Sequence, residues 1–447
     1  MRLHWLLLAI ATFPLGHLGA EDWPQFRGPG GRAVSESATP PIGFGQASNL
    51  VWQVAVPGGN SSPIVTGDRV LLTAADAGRL VTLCLSRMDG HELWRSQAPL
   101  EPLKPWDAMT PGPATPTPVT DGESVFVFFG SFGLLAYGLD GNERWRQPLS
   151  SPDLEASSSL ILIGQSLILV CDRDRDSFLE ARDKRTGKSL WRVDRPQFSR
   201  SRATPYHWVH DKGDELIVPG SLSLTSYNPR TGEQNWYYHG TARVATSSPA
   251  DDGNLLFSSS SNIGDNNSFS AGPNTGDLGT FGLSEGLVAN LIPAPKVELP
   301  KGGNGLLAIR SCGKGDITKS HLAWMSSRSL PYSASPVFYR GRLFTIKAGG
   351  LVSAYDVKTG RPIYQDERLG KPEDSFGDFY ASPVAAAGRL HLLSAEGILT
   401  VLDASADTPV VLDQHKLGEP ATATPALTGK LMIVRTAKTL RAFGTVR

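Results

Sequence analysis

Several groups of residues carry types that could do chemistry. Asp172-Arg173-Asp174-Arg175-Asp176 alternates carboxylates as a calcium loop does, but Ser177 stands where such a loop needs glycine for its sharp turn, and two arginines intervene. The run therefore reads as a solvated hairpin. His207 and His210 have the spacing of two zinc ligands on a helix, yet their segment reads as strand, where that spacing sends the rings to opposite faces. They are expected to be surface histidines. Serines crowd Ser157 to Ser159 and Ser258 to Ser261 without a Gly-x-Ser-x-Gly elbow or a local Ser-His-Asp order. The aromatic set Trp106, Tyr206, Trp208, Tyr332 and Tyr380 has the right surface to stack a planar or sugar-like ligand.

What must position these residues is a repeat. The segment Ser335-Pro336-Val337, then Gly341, Leu343 to Ile346, Gly350 to Asp356, Thr359-Gly360 and Tyr364 recurs seven more times, opening at Pro63, Pro118, Leu160, Pro205, Pro249, Pro383 and Pro425. Each unit predicts four short strands, since proline at the first residue of a strand costs no ladder bond. The third turn is the most regular, as in Asp183-Lys184-Arg185-Thr186-Gly187 and Asn228-Pro229-Arg230-Thr231-Gly232, where Asx closes the turn and glycine supplies positive φ. Four residues past the turn glycine stands a large aromatic: Trp94, Trp145, Trp191, Trp236 and Tyr364. Such residues bury their rings against the neighbouring sheet. Cofactor stacking is the lesser reading of them.

The last repeat, Ala421 to Phe443, has only three strands, and an orphan strand Leu50-Val51-Trp52-Gln53-Val54 precedes the first repeat. If the orphan completes the final sheet, the ring closes and leaves no unpaired edge. The expected fold is all-β: an eight-bladed propeller of four-stranded antiparallel sheets, the last blade closed by an N-terminal strand.

These residues resemble the PQQ-like repeat propellers, whose units carry Ala-x-Asp-x-x-Thr-Gly-x-x-x-Trp; the superfamily includes quinoprotein alcohol dehydrogenases. The opening Trp23-Pro24-Gln25-Phe26-Arg27-Gly28-Pro29 and closing Leu440-Arg441-Ala442-Phe443-Gly444 are similar to those of a secreted bacterial subfamily often labelled BamB-like. The resemblance implies a choice between an envelope scaffold and a dehydrogenase that binds PQQ with calcium over the ring axis. It carries over no catalytic or metal residue. Cys84, Cys171 and Cys312 include no adjacent pair of the kind that several of those dehydrogenases place beside the quinone.

Arg2 and His4, the apolar stretch Trp5 to Phe13, and Leu18-Gly19-Ala20 before Glu21 have the order of a signal peptide over 1–20, or of an uncleaved signal anchor. An N-terminal extension, 21–48, and a propeller, 49–447, follow. The mature chain is expected outside the cytoplasm, periplasmic or extracellular, with no membrane span. Forty-three basic residues balance forty-three acidic ones. That balance argues against nucleic acid as a partner. Pro249 and Pro336 stand about twice as far apart as other neighbours, which places an insertion at 262–304 between the second and third strands of blade five, either a lid or disordered.

Function is expected on the face that carries the blade-to-blade connections, where the five aromatics either bind a ligand or plug the mouth. A non-catalytic scaffold with a protein or envelope partner leads. A PQQ- and calcium-dependent oxidoreductase, or a carbohydrate-binding propeller with a small-molecule or glycan ligand, are the alternatives.

Overall fold

The computed structural model describes residues 22–45, 48–101, 112–149, 156–173, 176–198, 201–242, 244–261, 303–371 and 375–445. The expected signal peptide 1–20, Trp106, and 262–302 of the insertion lie outside the described residues. No helix among the described residues is long and apolar enough to cross a membrane.

Eight antiparallel sheets follow one another along the chain, as the repeat requires. Blade 1 runs from Ile64–Thr66 to Glu92–Gln97, blade 2 from Val119–Thr120 to Glu143–Pro148, blade 3 from Ile161–Ile163 to Ser189–Asp194, and blade 4 from Tyr206–His210 to Gln234–His239. Blade 5 spans Ala250–Asp251 to Leu322–Ser326, blade 6 Val337–Tyr339 to Pro362–Arg368, and blade 7 Val384–Ala386 to Val411–Lys416. Blade 8 takes Ala426–Thr428, Leu431–Arg435 and Thr439–Gly444 from the end of the chain. Its fourth strand is Leu50–Ala55, paired antiparallel with Thr439–Gly444 so that Trp52 faces Ala442. The ring is therefore closed by hydrogen bonds between the two ends.

Middle strands such as Ser124–Phe129 and Gly133–Gly138 are buried along their whole length, because each sheet is covered on both faces by its neighbours. Outer strands such as Glu143–Pro148 alternate between exposed and half-buried. The repeated tryptophans join one blade to the next. The indole Nε1 of Trp94 donates to Leu139 O at 2.9 Å, that of Trp145 to Lys184 O at 2.9 Å, and that of Trp52 to Arg87 O at 2.9 Å. Each indole lies on the turn glycine of the next blade. At Gly141, φ is +84° and a Cβ would stand 2.8 Å from Trp94, so conformation and space both demand glycine there.

Two sheets gain a fifth strand that the repeat does not announce. Gly315–Asp316 adds in parallel to the outer strand of blade 4, and Val34–Ser35 adds in parallel to the innermost strand of blade 7. The second addition comes from the N-terminal extension and leads to the axis.

Candidate functional site along the propeller axis

Residues 22–39 form a strap that crosses one end of the axis. Trp23 and Val65 of blade 1 exchange backbone hydrogen bonds of 2.9 and 2.8 Å, and Thr120 N of blade 2 donates to Pro24 O at 2.9 Å. Ala385 N of blade 7 donates to Ala33 O at 2.8 Å, and Thr39 N donates to Gly429 O of blade 8 at 2.7 Å. Asp22 accepts from Gly67 N at 2.9 Å and from the Thr66 hydroxyl at 3.2 Å. Most of these partners lie at the turns between first and second strands, so the strap sits on the turn face. Gly28, with φ +68°, would put a Cβ 2.5 Å from the Trp23 indole. The strap's bend thus depends on that glycine.

Arg27 points from the strap into the ring and is wholly buried. Its Nη1 donates to Ser248 O at 3.3 Å and Pro249 O at 2.8 Å in blade 5, and its Nη2 donates to Pro336 O in blade 6. Burial lowers its pKa to about 10. The three carbonyls supply dipoles in place of a carboxylate, so this guanidinium fastens two blades.

The residue before each opening proline, or before Leu160 in blade 3, forms a hydroxyl belt around the inner strands. Ser62 N donates to Thr117 Oγ1 at 2.9 Å, Thr117 N to Ser159 Oγ at 3.0 Å, and Ser159 N to Thr204 Oγ1 at 3.0 Å. After blade 5 the belt resumes: Ser248 N to Ser335 Oγ, Ser335 N to Ser382 Oγ, Ser382 N to Thr424 Oγ1, and Thr424 N back to Ser62 Oγ. The link from blade 4 to blade 5 is missing, and the buried Ser248 Oγ has no hydrogen-bond partner. Arg27 bonds to the carbonyl of that same Ser248 and reaches on to blade 6.

Beside the strap lies a pocket of about 840 Å³. One wall is strap, including Phe26 and Arg32; the others are the inner strands of blades 2, 3 and 4, with Ile161, Leu162, His207 and Val209. Val209 is 49% exposed. The polar groups nearby are largely engaged: His207 Nε2 lies 3.0 Å from Asp214, and Lys184 Nζ lies 2.7 Å from Asp121. The pocket is therefore an apolar cleft with a polar rim.

The five aromatics singled out by sequence do not form one ring. Tyr206 and Trp208 are 2% and 0% exposed. Alternation along Tyr206–His210 turns both toward blade 5, where Trp208 packs with Leu256 and Leu307, and where the Tyr206 hydroxyl donates to Asp251. Burial and Asp251 raise the Tyr206 pKa, so the phenol stays protonated. Tyr206 also borders the turn-face pocket, at the end of the axis away from the expected mouth. Tyr332 and Tyr380 lie at the connection face and interact with each other; Tyr380 is 39% exposed and donates to Asp378 at 3.2 Å. Burial, and then Asp378, raise its pKa.

Two smaller expectations need correction. Asp172 is not in a solvated hairpin: its carboxylate takes Arg195 Nε and Nη2 at 2.8 Å each, both side chains fully buried, and Arg195 also donates to Tyr227. The outermost Asp of an apparent calcium loop is thus an ion-pair partner. His210 is not at the surface either; its ring packs on Trp208 and reaches Glu215 Oε1 at 3.1 Å.

Among the described residues no three His, Cys, Asp or Glu side chains converge as a metal would require. Of the carboxylates near the strap, Asp22 and Asp251 are already held by Thr66, Gly67 and Tyr206. Among the described residues, these carboxylates at the strap end of the axis are therefore committed to the protein's own groups. Sequence reasoning missed the strap, because a single Pro- and Gly-rich crossing has no period. The belt was visible only as Ser-Pro or Thr-Pro at the start of most repeats.

Comparison with known proteins agrees with the ring. The family model described as Outer membrane protein assembly factor BamB matches residues 46–165 and 79–274. A protein of that name from Alkalilimnicola ehrlichii is 32% identical over 179 residues, 40% of each chain. The match thus spans 40% of that relative's length. Among solved structures, BamB from Moraxella catarrhalis superposes with a TM-score of 0.57 at 12% identity, covering 88% of this chain and 98% of the other. Quinohemoprotein alcohol dehydrogenase from Comamonas testosteroni superposes with a TM-score of 0.61 at 11% identity, covering 96% and 81%. At such identities these likenesses show the propeller fold alone.

Proposed function

The chain belongs to the family described as Outer membrane protein assembly factor BamB, and on that premise we propose that it is a non-catalytic, protein-binding scaffold of the cell envelope. The observation that carries this reading is the use to which the axis is put. Where a dehydrogenase of this architecture would place a quinone over the ring, the polar groups of this chain fasten blades: the belt hydroxyls accept from neighbouring backbones, and Arg27 donates to carbonyls of blades 5 and 6. A ring held in this way is a rigid body whose surfaces are free for partners.

Purified mature protein, immobilised and challenged with envelope extract, should retain a specific protein partner, and its melting temperature should not move with micromolar PQQ with or without calcium. A PQQ-dependent rise in melting temperature, together with dye reduction by alcohols or sugars, would establish the oxidoreductase reading instead. A second reading, glycan binding at the connection face, draws support from the exposed Tyr380 beside Tyr332. It requires that Tyr380→Ala weaken glycan retention without lowering the melting temperature.

A further inference from the structure

We propose that the turn-face pocket between the strap and blades 3 and 4 receives an extended, uncharged peptide segment that adds to the inner strand of blade 3 and inserts an apolar side chain beside Val209. This deepens the scaffold reading by assigning a place and a peptide chemistry to a partner.

The chain itself supplies the precedent. Its strap adds to the axis-facing edge of blade 1 through the paired bonds of Trp23 and Val65, and to that of blade 7 through Val34 opposite Ala385 and Ser35 opposite Ala386. Inner strands of this ring therefore take an added strand, in antiparallel or parallel sense, from a segment without regular structure of its own. Among the described residues the strap makes no backbone hydrogen bond to blade 3 or blade 4. At those blades the edge opens onto the pocket of about 840 Å³. A strand edge next to an unfilled cleft is the geometry of recognition by strand addition, where main-chain bonds give affinity and alternate side chains give selectivity.

The side chains suit an apolar residue. Ile161 of blade 3 turns toward blade 4, whose His207 and Val209 line the cleft with it, while Leu162 borders the cleft from the blade 2 side and Phe26 from the strap. His207 and Val209 are two apart, so both turn to the cleft side, while Tyr206 and Trp208 turn to blade 5. Val209 would lose most of its exposed surface on closure by a peptide. The charges nearest the cleft largely have partners, as in His207 with Asp214 and Lys184 with Asp121. Glu36 and Arg32 stand on the strap side of the pocket, whereas beside Ile161 and Val209 a valine or leucine would displace water from apolar surface.

The test uses the full mature chain and a fluorescein-labelled, capped octapeptide alternating valine and threonine with a lysine at each end, followed by fluorescence polarisation. Saturable binding is expected, weakened about tenfold or more by Val209→Asp and by Leu162→Asp. N-methylation of alternate peptide amides, which removes main-chain donors and keeps the side chains, should weaken it as much. Leu93→Asp, on the exposed outer strand of blade 1, should leave it unchanged. Melting curves confirm that each variant is folded; Val209→Arg serves as a second exposed-site variant. Absence of saturable binding, or binding indifferent to Val209 and to N-methylation, overturns the proposal. Retention of an envelope partner by the Val209→Asp protein would overturn it too while leaving the scaffold reading intact.

Discussion

The junctions between blades 1, 2 and 3 and the junction between blades 4 and 5 solve one problem differently. At the first two, each tryptophan reaches forward: Trp94 to Leu139 O and Trp145 to Lys184 O, each indole over the next turn glycine. The belt bonds of Ser62 and Thr117 are in place beneath them. At the other junction Trp236 donates back to Glu215 of its own blade, and the belt hydroxyl of Ser248 has no partner. The strap's Arg27 meets Ser248 and Pro249 on the blade 5 side of that junction and reaches on to Pro336, so it ties blade 5 to blade 6 and not back to blade 4. A repeat can thus fasten itself where it is regular. Where blade 5 loses its contact with blade 4, a residue from outside the repeat adds to its hold on blade 6, and the segment that brings it also builds one wall of the pocket.

The largest effect that this contrast requires is at Arg27. Arg27→Met leaves three carbonyls of blades 5 and 6 without their charged donor, and a loss of about 3 kcal/mol is expected in urea unfolding. A loss under about 0.5 kcal/mol would mean that blade 5 is held to blade 6 by other contacts. Trp145→Ala, at a regular junction, should cost about 2–3 kcal/mol, below the range for a fully buried tryptophan because the ring is half-buried. If it costs nothing, the forward-reaching indoles are not the fasteners.

The regular side has a liability that pH exposes. His391 in blade 7 is fully buried with neither ring nitrogen bonded, and burial, aided by Arg389, lowers its pKa to about 3. The neutral ring contributes fully above the ordinary pKa of 6.5, and that contribution is lost as pH falls from there toward about 3. Between pH 6.5 and pH 5 the wild type should lose about 2 kcal/mol more than His391→Phe does. Equal acid sensitivity of the two proteins would contradict this. The smallest effect compares belt hydroxyls: Thr117→Val should cost about 1 kcal/mol, and Ser248→Ala close to nothing, because only the first hydroxyl accepts a bond. A reversed order would break the contrast between the two junctions.

The eight blades and the closure by the strand around Trp52 were legible in the sequence because each rests on a periodic signal: opening proline, turn glycine, aromatic four residues later. The site was not. Tyr206 and Trp208 lie in the expected inner strand, but whether a side chain faces the axis or the next blade depends on how the sheets pack, which a single repeat does not encode. Trp23 to Pro29 stood out as a motif, yet nothing local showed that it would cross the ring. Asp172 read as part of a solvated hairpin because its partner Arg195 lies beyond the next two strands.

The most direct test of the fastening account is hydrogen exchange, followed by mass spectrometry, on the wild type and Arg27→Met under native conditions. The account predicts that residues 22–39, Ala250–Asp251 and Val337–Tyr339 lose protection in the variant, while the amides of Thr117 and Ser159 keep theirs. Equal loss around the whole ring, or no loss in the first strands of blades 5 and 6, would contradict it.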